Sequence, residues 1–188
     1  MRNGGIKPIL IWYLRLVPLY LSIIMRIIIQ KVSQAEVVNH DEPEIPARAI
    51  GPGLLLLVAV QDSDGDREIA WAARKIAQMR IFEDPAGKMN LSFLDVRGKN
   101  VKGEVLSVSQ FTLYADIRKG NRPSFVGAGD PGHARAIWER LNRTLSDDYD
   151  LPVTTGWFGA RMRVSLTNDG PVTIILDTDQ MPGKTRKG

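Results

Sequence analysis

Between Gly53 and Asp62 the chain carries Leu54–Val60 (LLLLVAV), an unbroken apolar run with no polar face. It is too short for a membrane span and reads as a strand buried within a core. Whatever surrounds it must therefore supply cover. Two amphipathic helix patterns are available: Ser63–Arg80, with Ile69, Ala72, Ala73, Ile76 and Met79 on one stripe, and Asp130–Leu145, with Ala134, Ile137, Trp138, Leu141 and Leu145 facing one way. Further strands are expected at Arg26–Val38, bending near Ser33, and near Asn90–Asp95, Glu104–Phe111, Thr154–Phe158, Met162–Thr167 and Val172–Asp177. Asp41–Pro52 reads as a loop holding a short edge strand. The expected fold is mixed α/β, a curved, largely antiparallel sheet or partial β-barrel backed by two helices.

Several chemistries are excluded outright. With no cysteine among 188 residues there is no disulfide, thiol nucleophile, thiolate zinc site or iron–sulfur cluster. Two histidines, His40 and His133, cannot make a three-histidine metal site, and both read as surface residues. No metal or other cofactor is called for. Trp71 and Trp138 read as helix-face packing. The net charge of +4 belongs to the ends: Arg2, Lys7 and Arg15 lie in the first 24 residues, Lys184, Arg186 and Lys187 in the last few, and the body between sums to −2. A nucleic-acid partner would have to be met by a local patch.

Residues 1–24 contain a 16-residue apolar run, Ile9–Ile24, interrupted by Arg15 and Pro18. They are expected to be an extension outside the fold, with Met25 opening the functional chain. A membrane anchor or targeting segment, or a packed accessory segment, are the alternatives. Membrane attachment is expected only if these residues are a genuine anchor. Residues 25–178 are expected to form the domain, and 179–188 a flexible basic tail.

Two segments gather chemistry. SVSQFTLYADIRKGNRPSF (Ser107–Phe125) brings hydroxyls and an amide to a strand end; taken alone it also reads as a half-buried strand with polar residues facing water. SLTNDGPVTIIL (Ser165–Leu176) contains Asn-Asp-Gly-Pro, which alone is a turn joining two strands. Arg118, Lys119 and Arg122, around Gly120, form the densest basic cluster of the body. They suit either phosphate contacts or a solvated loop.

Together these segments carry a resemblance. Met25 to about Thr178 resembles the D-aminoacyl-tRNA deacylases of bacteria and eukaryotes. It does so through MRIIIQKVSQAEV at Met25, RIFEDPAGKMNLSFLDV at Arg80–Val96, and two complete signatures, S-Q-x-x-L at Ser109–Leu113 and N-x-G-P-x-T at Asn168–Thr173. Many members have Arg where Lys31 stands. The resemblance implies a cytoplasmic homodimer with active sites at the subunit interface, into which a cis Gly170–Pro171 peptide is inserted from the partner. X–Pro is the bond where cis costs only about 0.5–1 kcal/mol. Carbonyl oxygens there would hold the substrate ammonium and reject an L side chain sterically, with Asn168 in the same chirality element; glycine would pass.

The implied reaction is hydrolysis of the ester between a D-amino acid, or glycine on tRNA(Ala), and the terminal ribose of tRNA. It proceeds by attack of a water or ribose hydroxyl at an oxyanion hole. Phe111 and Thr112 N–H groups are candidates for the hole, Gln110 for orienting the ester, and Ser109 and Thr173 for shaping the pocket. Thr173 as covalent nucleophile is the alternative, although neither motif supplies a base. A non-catalytic nucleic-acid-binding protein on the same fold, or a membrane-attached protein working through residues 1–24, are the rival readings.

Overall fold

The computed structural model describes residues 25–98 and 103–183; the expected extension 1–24 and the basic residues from Lys184 onward lie outside them. In chain order the elements are β1 (Arg26–Asn39), β2 (Arg48–Ile50), β3 (Gly53–Ala59), α1 (Asp66–Gln78), β4 (Arg80–Glu83), β5 (Met89–Ser92), α2 (Phe93–Val96), β6 (Glu104–Ser109), α3 (Pro131–Asp147), β7 (Val153–Thr155) and β8 (Met162–Asp177). Short 3-10 turns occupy Phe111–Tyr114 and Thr178–Gln180.

β1 is the strand on which the sheet is assembled. β8 lies antiparallel along one edge, from Arg26 opposite Asp177 to Asn39 opposite Met162. The other edge takes β3 along Arg26–Val32 and β2 along Ala35–Val37, both antiparallel. β6 continues from β3 in parallel and β7 from β6 in parallel, while β4 and β5 make a separate antiparallel ribbon. The result is the expected mixed α/β fold, a sheet curved until nearly closed.

The apolar run that dominates the sequence is β3, and its alternation divides it between two cores. Leu54, Leu56 and Val58 join Ile69, Ala72, Ala73 and Ile76 of α1 and Ile137, Trp138, Leu141 and Leu145 of α3. Leu55 turns to the opposite face with Val32, Ala35, Val37, Ile50, Leu106 and Val108, a cluster closed by Leu57, Trp157, Met162 and Val164. The helices thus cover one face, and the sheet's own curvature covers the other. Each fully buried leucine contributes about 1.5–3 kcal/mol relative to leaving it exposed.

Some local expectations shift. α1 begins at Asp66 because Asp64 closes a turn first, its Oδ2 accepting the Gln61 N–H at 2.7 Å. The strand expected across Asn90–Asp95 ends at Ser92, whose hydroxyl accepts the Asp95 N–H while the Asp95 carboxylate accepts the Ser92 N–H. This reciprocal cap starts α2 and is written in the sequence as Ser-x-x-Asp. At the C-terminal side, Met181 is buried beyond the Thr178–Gln180 turn, and Met25 is buried with its N–H donating to the Thr178 hydroxyl at 2.9 Å.

Gly53 starts β3 hard against β6: a Cβ there would lie 1.9 Å from the Glu104 carbonyl oxygen, which is backbone and cannot swing away. Gly53→Ala is therefore expected to destabilise the protein by about 3 kcal/mol or more, a cost of overpacking that a thermal-unfolding comparison of the two proteins would read.

Candidate active site

β6 carries Ser109 to the end of a buried strand, where Gln110 turns the chain into the Phe111–Tyr114 turn. Gln110 donates its backbone N–H to the Val58 carbonyl at 2.7 Å and its side-chain amide to the Thr112 hydroxyl. The far end of the turn is clamped twice. Arg26 makes a two-pronged pair with Asp177 (Nε–Oδ1 2.8 Å, Nη2–Oδ2 2.9 Å) and reaches the Leu113 carbonyl through Nη1 at 3.4 Å. The Tyr114 hydroxyl donates to the Ala59 carbonyl at 2.9 Å. Burial, reinforced by the Asp64 charge, pushes the Tyr114 phenol far above its ordinary value, so it remains a neutral donor. The Arg26 guanidinium is raised in turn, chiefly by its hydrogen bond to Asp177.

Over this turn opens a cavity of about 600 Å³. Val58–Val60 and Val108–Phe111 form one side, Pro131, Ala134 and Trp138 of α3 another, and Phe158–Ala160 a third, with Phe125 and Met162 completing it. The wall is mainly apolar, with a polar corner at Ser109 and Gln110. Phe111 and Phe125 meet edge to face, centroids 5.2 Å apart. Trp138 is packed as expected, 4% exposed and donating its indole N–H to Ser107 at 2.9 Å, yet it also faces the cavity. The loop bearing Phe158 is fixed by Arg48, which lies 4.1 Å over the Trp157 ring and donates to the Thr155 carbonyl at 2.6 Å.

The second motif is built differently. Between Asn168, opposite Val32, and Thr173, opposite Gln30, β8 has four residues, Asp169–Val172, where β1 has only Lys31. The surplus bulges outward, so a continuous pairing replaces the two strands and turn expected there. One residue along β1, Ser33 is the surplus on the other side, at the bend the sequence suggests. The base of the bulge is tied by side chains: Asn168 donates to the Thr173 hydroxyl at 2.9 Å, Gln30 donates to the same oxygen at 3.3 Å, and the Val172 N–H donates to the Asn168 side-chain oxygen at 3.1 Å. Neither amide is a base. At its tip the Gly170–Pro171 peptide is cis, and Gly170 has φ +118°, a region that favours glycine.

Beneath the bulge sits Lys31, its side chain only 6% exposed, paired with Asp169 at 3.1 Å and Glu83 at 3.5 Å. Nothing local in the sequence assigns this lysine a role. Its signal is a cation in the middle of a β-branched strand, between apolar residues that are buried. Of the expected site residues, Ser109, Gln110 and Phe111 line the cavity, and Thr112 lies in the turn beside it. Asn168, Gly170, Pro171 and Thr173 do not line this chain's own cavity; Gly170 and Pro171 are exposed and project from the surface.

The basic cluster lies on a loop closed by backbone hydrogen bonds between Asp116 and Ser124 (2.8 and 2.9 Å), which leads into Phe125 at the cavity. Arg118 is not free within it: both Asp116 oxygens engage it, at 2.6–3.1 Å, and its hydrogen bonds hold the Asp116 carboxyl down at about 2. Lys119 and Arg122 are exposed. Among the described residues no cluster of His, Cys, Asp or Glu could hold a metal, and no helix is long and apolar enough to cross a membrane.

Removing Lys31 strands no buried charge, because the Asp169 and Glu83 side chains are 53% and 57% exposed. Lys31→Met is expected to leave the melting temperature within a few degrees while speeding hydrogen exchange at the Val172 amide by about tenfold, the equivalent of about 1.4 kcal/mol of local stability. A single exchange series by NMR reads both the amide and the global core.

These features have counterparts in known proteins. The family model described as D-Tyr-tRNA(Tyr) deacylase matches residues 28–177. A D-aminoacyl-tRNA deacylase of Bifidobacterium adolescentis is 55% identical over 163 residues, 84% of this chain and 99% of that protein. One from Bifidobacterium longum subsp. infantis is 51% identical over 168 residues, 86% of this chain and all of that protein. Among solved structures, a chain described as a c-Myc DNA unwinding element binding protein superposes with a TM-score of 0.69 at 36% identity, covering 80% of this chain and 97% of that one. A second, described as a "probable eukaryotic D-amino acid tRNA deacylase", is 18% identical with a TM-score of 0.66, covers 82% and 99%, and bears on the fold alone. With both signatures in place and a family match across nearly the whole described body, the chain belongs to the D-Tyr-tRNA(Tyr) deacylase family.

Proposed function

We propose that this protein hydrolyses the ester between a D-amino acid and the terminal adenosine of tRNA, as a chirality check on translation in the cytoplasm. The observation that carries the reading is the division of the two motifs: a cavity whose polar corner is Ser109–Gln110, and an exposed Gly170–Pro171 bulge that does not line it. A homodimer resolves this, each subunit's bulge completing its partner's cavity. Residues 25–178 would form the working domain, and 1–24 would lie outside it.

The cavity's size and aromatic walls suit a nucleoside, and its polar corner suits the ester. Gln110 would orient the ester, and the Phe111 and Thr112 N–H groups, at the start of a turn where helical donors have no internal partner, would receive the developing oxyanion. From the partner, the Gly170 and Pro171 backbone would hold the α-ammonium and obstruct an L side chain, leaving a D side chain to solvent. A filter that only obstructs would accept many D residues and would let glycine through, including glycine on tRNA(Ala).

An aminoacyl ester is already activated, so a positioned water or ribose hydroxyl suffices as attacking group. Thr173 is better read as part of the frame: its oxygen accepts from Asn168 and Gln30, two groups unable to take its proton. Lys119, Arg122 and, less freely, Arg118 would meet phosphates of the acceptor end. Binding of nucleic acid without catalysis is the second reading, favoured by the 36%-identical structural relative described as DNA-binding.

The test is deacylation of D- and L-tyrosyl-tRNA by the full chain in EDTA. The D ester is expected to disappear at least about 100-fold faster than the L ester, and glycyl-tRNA(Ala) to be cleaved as well. If tRNA is bound and neither ester cleaved, the second reading stands. Thr173→Ala is expected to keep kcat within about tenfold; a loss of 10³ or more would restore covalent attack. Asp116→Asn, by releasing Arg118, is expected to tighten tRNA binding and steepen its salt dependence by about 0.7 in the logarithmic slope, measured by titration at several salt concentrations.

A further inference from the structure

Arg135 stands between Ala134 and Trp138 on α3, and both of those residues line the cavity. Its guanidinium folds back 6.0 Å from the ring centroid of Phe158, another wall residue, while 63% of the side chain remains exposed. Helix and ring together hold a cation beside two walls of the cavity. Among the described residues its hydrogen bonding goes through Nε to Glu139 at 2.9 Å, and neither Nη group is engaged there. That i,i+4 pair has the arginine N-terminal to the glutamate, the weaker order, and lies in the open. The contrast with Arg118, which Asp116 engages through both oxygens, is direct.

We propose that Arg135 is a substrate-binding residue that contacts the phosphate joining the last two nucleotides of the tRNA. The inference rests on the reading of the cavity as the terminal adenosine site. A nucleoside seated there leaves by its 5′ oxygen, so the first phosphodiester emerges at the mouth. The two Nη groups of a planar guanidinium match two phosphate oxygens. The Phe158 ring fixes the cation from below without consuming those donors. The basic loop at Arg118–Arg122 would then serve phosphates further along the strand.

Two substrates separate this role from any structural one: D-tyrosyl-tRNA, and the D-tyrosyl ester of adenosine, which has no phosphate. For Arg135→Gln the expected result is a five- to tenfold rise in KM on the tRNA with kcat unchanged. The slope of log kcat/KM against log salt should be shallower by about 0.7, and nothing should change on the adenosine ester. Arg135→Lys should restore most of the salt slope, and Glu139→Gln should lower KM on the tRNA. Arg143→Gln removes the same charge about 12 Å further along the helix axis and should alter neither substrate by more than about twofold. Equal losses on both substrates would overturn the proposal in favour of a packing role under Phe158, and no loss on the tRNA would reduce Arg135 to a surface ion pair. If the unaltered protein cleaves neither ester, the adenosine reading itself fails and this proposal falls with it.

Discussion

Opposite one buried lysine of β1, β8 must fit four residues, and the exposed Gly170–Pro171 bulge follows from that mismatch. Two strands paired antiparallel on both sides of this point cannot absorb three extra residues within the sheet. The surplus has to leave the plane, and the sheet then fixes where it leaves. Asn168 and Thr173 close the neck and Lys31 holds its first residue from below. The Gly170–Pro171 tip is thus presented by a frame, as a rigid strand pair presents a loop, even though the tip itself is exposed. An arginine at Lys31 would offer a planar fork to the same two carboxylates; lysine offers a point charge, and so positions Asp169 with less angular demand.

The cavity is built on a separate principle. Its floor is the ends of β3 and β6, which are buried for reasons of stability alone, and its polar corner is what remains when β6 runs out of sheet to pair with. The Arg26–Asp177 pair and the Tyr114 hydroxyl hold the turn at this point by contacts made on its far side. Gln110, which faces the cavity, is itself tied into the turn through Val58 and Thr112, so the corner is braced from both sides. A polar corner held this firmly is the arrangement expected of a preorganised site.

Much of this was legible in the residues. The unbroken run at Leu54–Val60 required cover on two sides, and two amphipathic stripes announced one of the covers. The two signatures supplied the candidate site residues, three of which line the cavity. What could not be read were relations between distant positions. Lys31, Glu83 and Asp169 come from three different strands, and nothing local to any of them says they meet. The cavity walls from α3 and from Phe158–Ala160 were likewise invisible, because Trp138 satisfies a core stripe and a pocket lining with the same side chain. The continuity of β8 was missed because Asn-Asp-Gly-Pro signals a reversal, whereas here the partner strand carries the chain through it.

The pairing of β1 with β8 joins residues as far apart as 151 positions, almost the whole span of the described chain. During synthesis β1 is among the first described segments to emerge and β8 the last strand. Until then β3 and β2 can occupy only one of its edges. The other, fourteen residues long and rich in isoleucine and valine, stays open to any strand that comes near, which is the condition for wrong pairing as well as for right. The strand that finally closes it also carries the Gly170–Pro171 bulge. Completion of the fold and protection of its most adhesive edge are a single late event, and the element proposed to read chirality arrives with it.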